Sequence, residues 1–150
     1  MTLYYDTGIL LKLYTPESES PTVSHFVREA GQAIPFLSLH RTECTSALHL
    51  KAFRGECTVA QANRALADLN SDLRRGVLML LQPDWESLWE KARQLCEAHS
   101  AHLGCRTLDT LHVAAALLFA FGQFATSDAR QSALAERVGL TVINPAAAND

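Results

Sequence analysis

The run from Arg106 to Asp128 reads as one helix followed by one strand, and it sets the direction of what is attached to it. Thr107 suits an N-cap, and Asp109 falls in the first turn, where a carboxylate favours the positive helix end. An Ala-rich apolar helix follows and is expected to stop at Gly122, a suitable residue just past a helix end. Gln123 to Thr126 then reads as a short strand closed by Ser127 and Asp128. In a parallel sheet Asp128 would lie at the carboxyl end of that strand. The helix feeding the strand must run antiparallel to it, so Asp109 comes to the same edge. Two acids 19 residues apart thereby share one rim of one sheet.

Taken in order, the chain alternates strands and helices. Thr2 to Asp6 reads as an apolar strand ending in an acid, Thr7 and Gly8 as a turn, and Ile9 to Tyr14 as the start of a helix that Pro16 stops. Ser20-Pro21 opens a second helix that Gly31 closes, and Ile34 to Leu37 is the second strand. Pro35 within it suggests a strand start or a position beside an edge. A helix from Thr42 to Phe53 follows, then a Thr58-x-x-Gln61 capping box and a helix to Arg75. Val77 to Leu81 is a continuous apolar run, suited to a strand buried on both faces. Asp84 caps the next helix, expected to end near Ala98, with a loop over residues 99–106. After Asp128 come a helix to Val138 and a last strand, Leu140 to Ile143. This pattern predicts an α/β domain with a mainly parallel sheet and right-handed crossovers, binding ligands at the carboxyl ends of its strands. The whole of residues 1–150 is expected to be one domain with a frayed tail over 145–150.

The same topology selects four acids. Asp6 ends the first strand. Glu43 follows the second by about six residues, in what reads as the first turn of its helix, and Asp109 and Asp128 share that edge. Each also has a local reading, as a cap or a complement to a helix dipole. Gathering them has a cost: two like charges about 4 Å apart repel by ~4 kcal/mol at an effective dielectric of about 20. Protons or a cation must neutralise such a group. An all-oxygen set suits Mg²⁺ or Mn²⁺ rather than zinc, and such an ion can assist in-line attack on a phosphodiester. The net charge of −3 argues against a general nucleic-acid coat protein but not against a nucleic-acid enzyme, because the count omits any bound cation.

These residues also carry a resemblance. The opening Leu3-Tyr-Tyr-Asp6-Thr7, the Leu-Leu-Lys-Leu-Tyr that follows, Thr42-Glu43-Cys-Thr-Ser-Ala-Leu, Arg106-Thr-Leu-Asp109-Thr-Leu-His-Val-Ala-Ala-Ala and Phe124-Ala-Thr126-Ser-Asp128 occur in an ordered pattern over nearly the whole chain. The sequence resembles the PIN-domain ribonucleases, in particular the VapC-type toxins of toxin–antitoxin pairs. The resemblance implies a three-layer α/β/α sandwich with strand order 3-2-1-4-5 and a metal-dependent endoribonuclease acting on RNA. Asp6, Glu43, Asp109 and Asp128 fall on the family's acidic cluster, which would bind Mg²⁺ or Mn²⁺. Thr126 falls on the hydroxyl position that helps hold a water or the last acid, and Thr7 on the small hydroxyl position after the first. It further implies a small antitoxin partner, whose C-terminal segment lies over the active-site groove, and a homodimer. Gly8 departs from the pattern, where relatives commonly carry Asn or Ser.

Other residues carry two readings each. Lys12 and Arg106 are candidates for RNA phosphate, against a solvated charge for Lys12 and a pairing with an acid for Arg106; Arg41 and Arg130 flank acids in the same way. His112, three residues after Asp109, is either a general base or, more simply, a packed and hydrogen-bonded histidine. Trp85 and Trp89 read as helix packing rather than an RNA stacking platform. Leu11, Tyr14, Phe26 and Val27 read as core, or as a strip for an antitoxin or a second copy. Cys44, Cys57, Cys96 and Cys105 form no Cys-x-x-Cys and read as small buried thiols in a reducing cytosol. No basic-then-apolar opening suggests a signal peptide, and the run Leu111 to Phe121 is too short to cross a bilayer. Two alternatives to a toxin nuclease are a non-catalytic PIN-like binding module and a PIN nuclease of RNA processing. An aspartyl-phosphate domain is a poor fit, since Asp6-Thr7-Gly8 lacks the second Asp of the phosphatase motif.

Overall fold

The computed structural model describes residues 2–147. In chain order the elements are β1 (Leu3–Tyr5), α1 (Thr7–Leu11), α2 (Ser20–Ala30), β2 (Ile34–Phe36), α3 (Ser38–Phe53), α4 (Val59–Arg75), β3 (Leu78–Leu80), α5 (Trp85–Leu95), α6 (Ala101–Leu103), α7 (Thr107–Leu118), β4 (Gln123–Ala125), α8 (Ala129–Arg137) and β5 (Thr141–Ile143). All recorded strand pairs are parallel, β1 with β4, β4 with β5 and β2 with β3. With β1 and β2 side by side, the spatial order is 3-2-1-4-5, and helices cover both faces in a three-layer α/β/α sandwich. Strand alternation divides the core. Tyr4 and Phe124 pack with α5, α7 and α8 on one face, while Leu3, Tyr5 and Ala125 pack with α1, α2, α3 and α4 on the other.

The sheet has a seam between β1 and β2, and its cause is local. The Ile34 N–H donates to the Val77 carbonyl (2.9 Å), and the Phe36 carbonyl accepts from the Leu81 N–H (2.7 Å), so both residues address β3. Pro35 lies in the middle of β2, turns its backbone toward β1, and has no N–H to donate. Tyr5 on β1 therefore finds no ladder partner on that side. Its carbonyl is bound instead by His40 Nε2 (2.9 Å), whose Nδ1 accepts from the Leu37 N–H (3.0 Å). These bonds place the ring proton on Nε2. Burial holds the His40 pKa well below the usual histidine value, so the bridging ring is neutral.

Several expectations are corrected by tertiary context. Thr7 and Gly8 are helical, and α1 ends at Leu11 rather than running to Tyr14. α3 starts at Ser38, which moves Glu43 from the first turn to the second. β3 is an edge strand, with Val77 and Leu80 40% and 48% exposed, not a strand buried on both faces. α5 continues through a π-helical turn, Cys96–Ser100, into α6, so the loop expected at 99–106 shrinks to residues 104–106. α7 is capped by Arg106 and stops at Leu118. Ala120, at φ 56°, takes the left-handed position expected near Gly122. Of the expected frayed tail, Pro145 is buried and the Ala147 N–H closes a turn onto the Asn144 carbonyl (3.2 Å). Residues 148–150 lie outside those described. Among the four free cysteines only Cys44 is fully buried. Trp85 and Trp89 are 37% and 53% exposed, which corrects their reading as packing residues. Leu11, Tyr14, Phe26 and Val27 pack against the core. Among the described residues no helix is long and apolar enough to cross a membrane.

Candidate active site

The carboxyl ends of β1 and β4 carry the first half of the site. Asp6 leaves β1 in extended conformation and caps α1, its Oδ1 accepting from the Ile9 N–H at 2.7 Å. Its Oδ2 meets the Thr126 hydroxyl, which projects from the end of β4. Asp6 is only 6% exposed, and among the described residues no basic side chain forms an ion pair with it. Burial raises its pKa above the ordinary carboxylate value; the bonds from Thr126 and Ile9 oppose this, and the nearby Asp128 adds to it. A side chain at position 8 would sit against this carboxylate, since a Cβ there would lie 3.5 Å from Asp6 Oδ1.

Asp128 caps α8. Its Oδ1 accepts from the Gln131 N–H (2.8 Å), and its own N–H donates to Thr126 Oγ1 (3.0 Å). The buried Gln131 was not among the residues singled out from sequence, and it ties this half to α7. Its Nε2 donates to the Asp109 carbonyl (3.2 Å), and its Oε1 lies 2.9 Å from Thr126 Oγ1. Its signal in the sequence was its place three residues after a cap, the capping-box position, although its side chain turns inward instead. Thr126 has one hydroxyl proton facing two acceptors, Asp6 Oδ2 and Gln131 Oε1.

The second half is carried by helices. Glu43 Oε1 accepts from the Thr7 hydroxyl (3.0 Å) and contacts His112 Nε2. His112 is buried, with Nδ1 2.8 Å from the Tyr4 hydroxyl, so it is the packed, hydrogen-bonded histidine of the simpler reading. Asp109 sits in the first turn of α7, its carboxylate 3.4 Å from Arg106 Nε on a side chain that is 79% exposed. Arg41 bonds Asn70 rather than an acid. Lys12 pairs with Glu17 (2.8 Å) and Glu19 (3.6 Å) and is only 14% exposed, so it is neither a solvated charge nor free for phosphate.

The four acids thus lie along one rim, but their side chains fall into different local arrangements. Among the described residues no three His, Cys, Asp or Glu side chains stand close enough together to hold a metal ion. The donor chemistry nonetheless fits a hard divalent cation. Among the described residues Asp6 is a buried carboxylate without a cationic partner, the neighbouring donors are oxygens, and the Asp109 carboxylate is held by an exposed ion pair of the kind worth about 0–1 kcal/mol. The rim is open. A cavity of about 220 Å³ lies elsewhere, between Tyr14, Leu48, Cys57 and Ala62.

No protein-family model and no curated protein matches the sequence. Among solved structures, the chain is similar to the crystal structure of FitAcB from Neisseria gonorrhoeae, with a TM-score of 0.61 and 14% identity over 96% of this chain and 98% of that one. At that identity the likeness is one of fold.

Proposed function

We propose that this protein is a divalent-metal-dependent endoribonuclease, the toxin of a toxin–antitoxin pair. The observation that carries the reading is Asp6, a buried carboxylate without an ion-pair partner among the described residues, at the carboxyl rim of a parallel sheet, with Thr126 and Asp128 beside it. The fold shared with FitAcB supports the architecture. The ordered motifs around Asp6, Glu43, Asp109 and Asp128 support the chemistry. In this reading Asp6, Asp109, Glu43 and Asp128 would hold Mg²⁺ or Mn²⁺. The bound ion would supply activation of water and neutralisation of charge at the phosphodiester. Thr126 holds Asp6 and the Asp128 backbone in place through its single hydroxyl. Asp109 joins the group by leaving Arg106, which frees the exposed guanidinium for an RNA phosphate. A small antitoxin covering this rim and a homodimer complete the proposal.

The test is cleavage of RNA by purified protein with Mg²⁺ or Mn²⁺, beside Asp6→Asn. Metal-dependent cleavage lost in the variant supports the reading; no cleavage of any RNA with either metal ends it. A second reading, a non-catalytic PIN-like binding module, is favoured by one observation: Glu43 and Asp109 are engaged by His112 and Arg106. Calorimetric titration with Mn²⁺ separates the two, since such a module would bind weakly and Asp6→Asn would change nothing.

A further inference from the structure

Tyr4, Thr7 and His112 come from β1, α1 and α7; Thr7 and His112 meet at Glu43 of α3, and Tyr4 stands behind His112. Tyr4 is fully buried, and its hydroxyl has no hydrogen-bond partner other than His112 Nδ1 among the described residues. The phenol therefore donates to Nδ1, which leaves the ring proton on Nε2, facing Glu43 Oε1. The Thr7 hydroxyl donates to the same oxygen (3.0 Å). Two donors saturate Oε1, whereas Oε2 has no hydrogen-bond partner among the described residues. Glu43 remains partly exposed, at 21% of its side chain. A carboxylate fixed this way has one oxygen committed to the protein and one available.

We infer that Tyr4, His112 and Thr7 form a positioning relay for Glu43: Tyr4 sets the His112 tautomer, and His112 with Thr7 holds Oε1 so that Oε2 alone is offered to the cation. This rests on the metal-dependent reading above. None of the three is a catalytic residue; each acts through Glu43. A buried histidine serving only the core would also be hydrogen-bonded, but the fate of Oε1 would then be immaterial to metal binding. Partners that orient a ligating carboxylate typically change metal affinity about 10–100-fold when removed.

Two measurements on the full-length protein decide it. In the wild type, long-range ¹H–¹⁵N correlation of the His112 ring should show a proton on Nε2; a ring with its proton on Nδ1 and none on Nε2 overturns the relay. In calorimetry with Mn²⁺, Tyr4→Phe should weaken binding about 10-fold. In a Glu43→Gln background the same change should have almost no further effect, because the relay acts only through that carboxylate. His112→Gln, which can keep a side-chain N–H, should bind better than His112→Leu. Tyr4→Phe binding like the wild type, or an equal loss with and without Glu43, overturns the inference. Should Tyr4→Phe not fold, Thr7→Val removes the second donor and carries the same expectation of weaker Mn²⁺ binding, with no change overturning the relay. If the wild type binds Mn²⁺ and Glu43→Gln weakens it while the relay variants do not, only this inference falls. If the wild type binds no Mn²⁺, the metal-dependent function falls and takes the relay with it.

Discussion

The rim has a strand-borne half and a helix-borne half, and they hold their carboxylates by different means. Asp6 and Asp128 leave the ends of β1 and β4 as helix caps, each fixed by a backbone N–H three residues ahead. Glu43 and Asp109 project from helix turns and depend on other side chains, a buried His112 in one case and an exposed Arg106 in the other. Backbone bonds place an acid within a few tenths of an ångström wherever the chain makes the turn. Side-chain partners place it only if distant elements arrive together. The first half is accordingly the rigid floor of the site, and the second is where its geometry is adjusted.

The largest effect that would break this contrast is on catalysis. If the strand-borne half is the floor, Asp6→Asn should lower metal-dependent RNA cleavage by about 10³-fold, the several kcal/mol expected when a cation's principal support is lost. Glu43→Gln should cost about 10–100-fold. Comparable losses in single-turnover assays would erase the distinction. Next in size is stability. Thr126→Val leaves Asp6 Oδ2 and the Asp128 N–H without their partner and should cost about 1–3 kcal/mol in urea melts, whereas Arg106→Ala should stay within about 0.5 kcal/mol.

The pH dependence sharpens the contrast further. The Asp6 pKa is raised in the folded protein, so the native state binds its proton more tightly than the unfolded chain. Stability from this group is therefore present below the unfolded pKa and lost as pH rises through the folded one. Between metal-free wild type and Asp6→Asn, the difference in melting temperature should widen in favour of the variant as pH increases through that window. A constant difference would show that Asp6 does not titrate there. The smallest effect is at Gly8, a helical position without positive φ, where a Cβ meets Asp6 at ordinary contact distance. Gly8→Ala should stabilise the protein by about 0.5 kcal/mol, measured by chemical denaturation. A loss instead would mean that the carboxylate needs the space.

The features legible in sequence were those decided within a few residues. Thr58-x-x-Gln61, Asp84 and Asp128 read as caps because a cap is a contact three residues long, and they are caps. Gly31 and Gly76 read as helix ends because the left-handed conformation is cheap only there. The element order and the shared rim of Asp6, Asp109 and Asp128 followed from the same local marks together with the handedness of parallel crossovers. Ala120 was not legible: its left-handed backbone belongs to the chain's return toward β4 rather than to its own preference. Likewise, the apolar run Val77–Leu81 could not announce that, among the described residues, β3 would lie at the sheet's edge.

What the chain alone determined is therefore an α/β alternation with acids at one strand edge, since caps, turns and hydrophobic period are short-range properties. Tertiary structure decided the rest. It opened a seam at Pro35 and closed it with His40, and it turned Gln131 inward. It also brought Thr7 and His112 onto the Glu43 carboxylate and set Tyr4, 108 residues from His112, behind that ring. Most of these contacts join groups whose separation in sequence says nothing about their separation in space, and only the packing of helices on a twisted sheet supplies that distance.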